Sequence, residues 1–344
     1  MAASYIFHNA KELLERCHEH EVPIWKVMLN YEKQFSDRPE EEILKMLDVR
    51  LQVIFDGIEA AIEKPELSRS GMVGTSTPKL AAAVHDFKKW GDKLLLNESA
   101  VRAMLGAVAT GENNARMGVI LAFPTAGAAG VLPGVIYGAK HKLGLSRQQM
   151  LEMMLTASAI GIVIANSATL SGAAGGCQAE VGSAAAMAAA ALTEVRGYSP
   201  ETSLHAASLA LKNMIGLACD PIGGLVEVPC VKRNAFGAVF SMTASDMACM
   251  GIESFVPFDE IVRAMREVGE LMSPKIRETA LGGLAMTPTG QTVAKKMGLL
   301  KIGDNPCAKG HLNLVFSPPV TELILVPSTK RWTKAKCPGL KWRL

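Results

Sequence analysis

The stretch GGCQAEVGSAAAMAAAAL, residues 175–192, sets a nearly unbroken alanine run behind a glycine pair and a Cys-Gln-Ala-Glu step. Alanine is the strongest helix former and adds almost no bulk, so a helix here must be thin and closely surrounded. Composition agrees with that demand: the chain is 49% hydrophobic but only 5% aromatic, so Ala, Leu, Ile, Val and Met must build the core. Interiors of that kind suit closely packed helices. No convincing period-two alternation occurs before residue 300, which argues against a large sheet. The expected fold class is all-α, a multi-helix domain with glycine-rich loops around a site.

Residues 9–64 carry apolar positions at helical spacing: Leu13, Leu14 and Cys17, then Ile24, Val27, Met28 and Tyr31, then Ile43 to Ile58. DRPEEE, residues 37–42, reads as an acidic helix start with Pro39 in the first turn. PELSRSGMVGTSTPK, residues 65–79, reads as a polar connection, and helical patterns resume over 80–108. Three units are expected: an N-terminal helical segment (1–65) packed on a main domain (66–300), and an atypical basic, proline-containing tail (301–344). The tail holds eight Lys/Arg against Asp304 and Glu322, while the whole chain is only +3, so the body is mildly acidic. That balance gives no reason to expect nucleic acid. The longest apolar stretch, 154–170, contains Thr156, Ser158, Asn166 and Ser167 and reads as a buried helix rather than a bilayer span. With no apolar secretory core at the start, and seven cysteines, the expectation is a cytoplasmic chain with reduced thiols.

Four small-residue loops interrupt the middle of the chain: TGENNARMG (110–118), PTAGAAGVLPG (124–134), SGAAGGCQ (171–178) and CDPIGG (219–224). Glycine lets backbone N–H groups approach a ligand. Three cysteines sit in or beside these loops. Cys177 precedes a helix expected over about 178–195, Cys219 ends the run LHAASLALKNMIGLAC, and Cys230 opens the helix CVKRNAFGAVFSM. A helix start favours thiolate over thiol, the form that binds metal. Three thiolates without a fourth suggest an incompletely ligated metal centre, since closed structural sites show four ligands. Three buried packing cysteines are the alternative. Cys17, beside His18 and His20, reads as an apolar stripe position.

These residues belong to longer motifs. GCQAEVGSAAAMAAAAL, CDPIGGLVEVPCVKRNAFGA, NNARMGVILAFPTAGAAGVLPG, VPFDEIVRAMREVG and RETALGGLAMTPTG closely resemble the α subunit of iron–sulfur-dependent L-serine dehydratase (L-serine ammonia-lyase), over about Ile6 to Gly298. The resemblance implies an all-α catalytic subunit whose [4Fe–4S] cluster is held by Cys177, Cys219 and Cys230, with no pyridoxal phosphate. It implies that an open iron polarises the C–O bond of L-serine, giving pyruvate and ammonia. Candidate catalytic residues are Glu180, within a turn of Cys177, together with Asn114 and Lys232. Lys232 and Arg233 could neutralise a cluster or a carboxylate. Thr125, Ala126, Gly127 and Gly130 could present amides and a hydroxyl to the substrate carboxylate, and Asn113 could orient substrate or cap a helix.

Two departures from the family stand out. The family's Ser-Ser-His-Thr motif, carried by a fused part or a separate β subunit, is missing: no histidine here follows a serine. A β-subunit partner is therefore expected. The residues after about Leu300 do not match the family's ending, and Cys337 is a weak counterpart of the terminal cysteine that some members place on the cluster. Two other readings stay open: a related lyase acting on L-threonine or L-cysteine, and a non-catalytic helical interaction subunit.

Overall fold

A computed structural model describes residues 4–299; the expectations for residues 301–344, including Cys307 and Cys337, lie outside the described residues. The helices in chain order are α1 (Ala10–His20), α2 (Ile24–Ser36), α3 (Glu40–Glu63), α4 (Ser76–His85), α5 (Phe87–Gly91), α6 (Glu98–Ala115), α7 (Val131–Leu143), α8 (Arg147–Ser167), α9 (Gly172–Gly175), α10 (Ser183–Val195), α11 (Pro200–Lys212), α12 (Cys230–Cys249), α13 (Phe258–Leu271) and α14 (Pro288–Lys296). The described residues contain no strand, and a single isolated bridge joins Cys219 to Arg277. The architecture is all-α.

The alanine run forms α10, buried from Ser183 through Glu194, with α7, α8, α11 and α12 packed around it. A helix surfaced by methyl groups lets neighbours approach at the short end of the usual 8–10 Å spacing. The alanines therefore act by what they leave out. α8 is long and apolar enough to cross a membrane by length and composition, yet 78% of its most apolar window is buried inside the protein. Here it is a core helix, started by the Ser146–Gln149 capping box.

The N-terminal helices share this core. Phe7, Leu13, Ile24, Val27, Leu47 and Leu51 join one cluster with residues of α6, α7, α8, α10 and α13. Each fully buried leucine contributes about 1.5–3 kcal/mol relative to exposure. Two buried polar ties fix the arrangement. Glu194, near the end of α10, accepts from the Ile24 amide at 2.5 Å and the Trp25 amide at 3.2 Å. It thereby caps α2, whose N-cap Pro23 makes no side-chain cap bond. Asp259, in the first turn of α13, accepts from the Ala10 amide at 2.8 Å and the Lys11 amide at 3.1 Å.

Three boundaries differ from the sequence reading. Thr110–Ala115 continue α6 rather than forming a loop, because Thr110, Glu112 and Asn113 are buried against other elements. The helix before Cys219 ends at Lys212, seven residues early, and Cys219 lies in the bridge to Arg277. The connection after α3 ends at Thr75 instead of Lys79, where Glu112 caps the start of α4.

Candidate active site

α12 supplies the frame. Cys230 is its first residue and Asn234 lies one turn on. The Asn234 amide nitrogen donates to the carbonyls of Cys230 and Gly127, both at 2.8 Å, and its oxygen accepts from the Gly130 amide at 2.8 Å. One side chain therefore clasps both ends of the 127–130 turn and sets it beside the cysteine. The Gly130 amide, a substrate-binding candidate by sequence, is consumed in this clasp. The amides of Ala126 and Gly127 open the 3₁₀ turn Ala126–Ala128 and are not used by its own bonds.

Cys177 follows Gly176, whose φ of 77° lies in the left-handed region; an added Cβ there would meet the Met272 sulfur at 2.5 Å. Glycine is required at this corner. The chain then makes one π turn, Gln178–Gly182, before α10 begins. Gln178 is fully buried and used structurally: its amide donates to the Met265 carbonyl at 2.9 Å and its oxygen accepts from the Gly216 amide at 2.9 Å. Glu180 points the other way. Its Oε1 accepts from the Thr125 hydroxyl at 2.8 Å, and its Oε2 lies 3.8 Å from the Cys219 sulfur.

Two glycines make room for this carboxylate. A Cβ on Gly127 would fall 2.9 Å from both Glu180 oxygens, and one on Gly172 would fall 2.6 Å from Oε2 and 3.1 Å from the Cys219 sulfur. Burial, then the neighbouring Glu278 charge, raises the Glu180 carboxyl to about 7. A carboxyl poised near neutrality can both take and return a proton.

The third cysteine is held by backbone. The Cys219 amide donates to the Ile276 carbonyl at 2.9 Å, and its carbonyl accepts from the Glu278 amide at 2.7 Å. Asp220 extends the clasp, accepting from Arg233 at 3.0 Å and from the Leu284 amide at 2.8 Å. Arg233 also donates to the Ala218 carbonyl at 2.6 Å and bonds the Cys177 thiol. Arg233 is thus a cation of the pocket, whereas Lys232 is exposed on the opposite face of α12, because the pocket lies on the side of Cys230, Arg233 and Asn234.

Cys177, Cys219 and Cys230 are 2%, 3% and 7% exposed, and Cys219 senses the charge of the other two. Burial pushes Cys177 up to about 11 and Cys230 up to about 12, and raises Cys219 as well. The thiolate tendency expected from the helix start alone is therefore overcome by desolvation, which favours the neutral thiols in this pocket. No group of three or more His, Cys, Asp or Glu among the described residues converges tightly enough for a single metal ion.

The remaining candidates lie further out. Asn113 turns onto its own loop, donating to the Val119 carbonyl at 2.8 Å and accepting from Arg116 at 3.0 Å. Asn114 is half-buried, one turn beyond Gly111, where an added Cβ would meet Val231 of α12. Two buried glutamates, of which only Glu112 was missed in the sequence, anchor the 65–75 connection over this end of α12. Glu227 accepts from Ser68 at 2.6 Å and from Ser70. Glu112 accepts from the amides of Gly74, Ser76 and Thr77 and from the Thr77 hydroxyl. Glu278 was also missed; it stands as one charge among many in its segment, with no periodic signal to single it out.

Fold and site together define an all-α chain with a buried pocket of three thiols and a carboxylate, assembled from helix starts and a two-residue clamp. The chain belongs to the serine dehydratase alpha chain family, whose profile matches residues 19–285. It is 47% identical to the probable L-serine dehydratase alpha chain of Bacillus subtilis (strain 168), over 85% of this chain and 95% of the relative. It is 41% identical to the L-serine dehydratase alpha chain of Peptoniphilus asaccharolyticus, over 87% of this chain and 100% of the relative. It is 35% identical to L-serine dehydratase TdcG of Escherichia coli (strain K12), over 82% of this chain but only 62% of that longer protein.

Proposed function

We propose that this chain is the α subunit of an iron–sulfur L-serine ammonia-lyase that converts L-serine to pyruvate and ammonia. The observation that carries this reading is the convergence of Cys177, Cys219 and Cys230 around the Glu180 carboxylate. Three buried thiols, with Cys219 feeling the charge of the other two, beside the Gly172 cradle that a Cβ would fill, fit a polynuclear cluster. Cys177, Cys219 and Cys230 would hold a [4Fe–4S] cluster, which supplies a Lewis-acidic iron to make the β-hydroxyl a leaving group.

The chain's own residues do the rest. Glu180 accepts the α-proton at Oε2, while the Thr125 hydroxyl on Oε1 fixes its orientation. The Ala126 and Gly127 amides receive the substrate carboxylate. Arg233 balances the Cys177 thiolate, and Asp220 holds Arg233 in place. Loss of hydroxide and the α-proton leaves aminoacrylate, which water converts to pyruvate and ammonia.

A β-subunit partner is part of this reading, and the relatives' names and lengths support it. Relatives named as alpha chains are matched over 93–100% of their length, whereas the longer TdcG is matched over 62%.

Anaerobic reconstitution followed by pyruvate assay, with and without a candidate β subunit, tests the reading. Serine turnover that requires the partner is expected; pyruvate formed at full rate by this chain alone refutes the need for it. Sulfide release from L-cysteine in preference to pyruvate from serine would reassign the substrate. Single Cys177→Ala, Cys219→Ala and Cys230→Ala variants should each lose iron, and full iron content in any of them refutes that ligand. Glu180→Gln should keep its iron and lose roughly 10²–10⁴ in kcat; a loss under tenfold removes Glu180 as the base.

A further inference from the structure

We infer that Glu278 binds the α-ammonium group of the amino-acid substrate, an assignment that rests on reading the pocket as an amino-acid lyase site. An amino acid brings a cation as well as a carboxylate, and a desolvated ammonium needs an anionic partner. The other carboxylates around the pocket are committed. Asp220 holds Arg233 and the Leu284 amide, Glu227 holds Ser68 and Ser70, and Glu112 holds the start of α4. Glu180 is oriented by Thr125 for proton transfer.

Glu278 differs from all of these. Its side chain accepts from the Ala173 amide, and the residue as a whole is solvent-exposed. Ala173 adjoins Gly172, whose position touches both Glu180 Oε2 and the Cys219 sulfur, so the Glu278 carboxylate stands one peptide away from the reacting groups. Its charge is felt by both Glu180 and Cys219.

The backbone shows that this placement is imposed. Glu278 has φ of 63°, in the left-handed region, at a cost of roughly 1–2 kcal/mol for a residue with a Cβ. The clamp keeps it there: the Glu278 amide bonds the Cys219 carbonyl at 2.7 Å, and the Cys219 amide bonds Ile276. The same two bonds that hold a cluster cysteine thus aim a carboxylate at the mouth of its pocket. Strain of this kind persists where the surroundings over-determine a conformation, often at a binding site.

Glu278→Gln, reconstituted with the β partner, tests the assignment against two ligands. L-Serine carries the ammonium; glycerate has the same hydroxyl and carboxylate but lacks it. The KM for serine should rise roughly 10- to 100-fold with kcat changed less than about threefold, while the Ki of glycerate stays within about twofold. Iron and sulfide content and the thermal midpoint should match wild type, which separates ammonium binding from support of Cys219. An unchanged serine KM, or serine and glycerate weakened together, overturns the assignment. If the wild type turns over serine in the same series, that failure belongs to Glu278 alone; a wild type inert toward serine overturns the lyase reading and this assignment with it.

Discussion

Replacing Glu112 by Gln gives the sharpest test of how the loop over the site is held. Glu112 is 3% exposed and accepts four hydrogen bonds: from Gly74 N at 2.9 Å, Ser76 N at 3.0 Å, Thr77 N at 3.0 Å and the Thr77 hydroxyl at 2.7 Å. Two of the donors are the first amides of α4, whose N-cap Thr75 makes no side-chain cap bond, so a carboxylate from α6 caps that helix. Burial alone would raise this carboxyl, but the hydrogen bonds overcome it and leave it below its ordinary value. Glutamine is isosteric and keeps one acceptor oxygen, yet its NH₂ must face donors that cannot accept. One oxygen's pair of charge-assisted bonds is lost, at about 1.5–3 kcal/mol each, offset by no longer burying a charge. The net cost is about 3 kcal/mol, or roughly 4 °C in thermal midpoint for a chain this size.

Differential scanning fluorimetry reads the shift, and limited trypsin digestion reads the loop through faster cleavage after exposed Arg69. A lowered folded pKa contributes stability above the unfolded value that is lost as pH falls through the folded one. The gap between wild type and variant should therefore be flat from about pH 5.5 to 8 and close below about 4.5. A variant within about 0.5 kcal/mol of wild type, or a gap that widens as pH falls, would refute the reasoning.

Other expected outcomes follow from the same kind of contact. Glu32 is 2% exposed with no hydrogen-bond partner for either oxygen, and burial raises its carboxyl to about 7. Its stability contribution is present below the unfolded pKa and lost as pH rises through 7, so Glu32→Gln should match wild type near pH 4.5 and exceed it by about 1–3 kcal/mol at pH 8; urea melts showing equal stability at pH 8 would contradict this. Gly172→Ala places a methyl 2.6 Å from Glu180 Oε2 and 3.1 Å from the Cys219 sulfur. Reconstituted variant should bind less iron and lose at least roughly tenfold in serine turnover; wild-type iron content with wild-type kcat would show that the pocket has room to spare.

The sequence by itself determined that the chain is helical, and it marked the three cysteines, Glu180 and the PTAG turn as candidates. Those signals are local: alanine runs, apolar positions at period 3.6, and reactive residues beside glycine corners are visible without knowing what they pack against. Tertiary structure decided which candidates face one another. Arg233 and Lys232 are adjacent and alike in charge, and only the packing face of α12 tells them apart. Gly130 and Asn113 looked available as isolated residues, but their polar groups are consumed by Asn234 and by the 113–119 loop. Glu112 sat in a stretch read as a loop, and burial against the 65–75 connection is what keeps it helical. Glu278 had no local signal, because its place depends on a two-bond clamp to Cys219 made across more than fifty positions of chain. Periodicity is a property of neighbours in sequence; a shared pocket is a property of neighbours in space, and hydrogen-bond partners are settled only there.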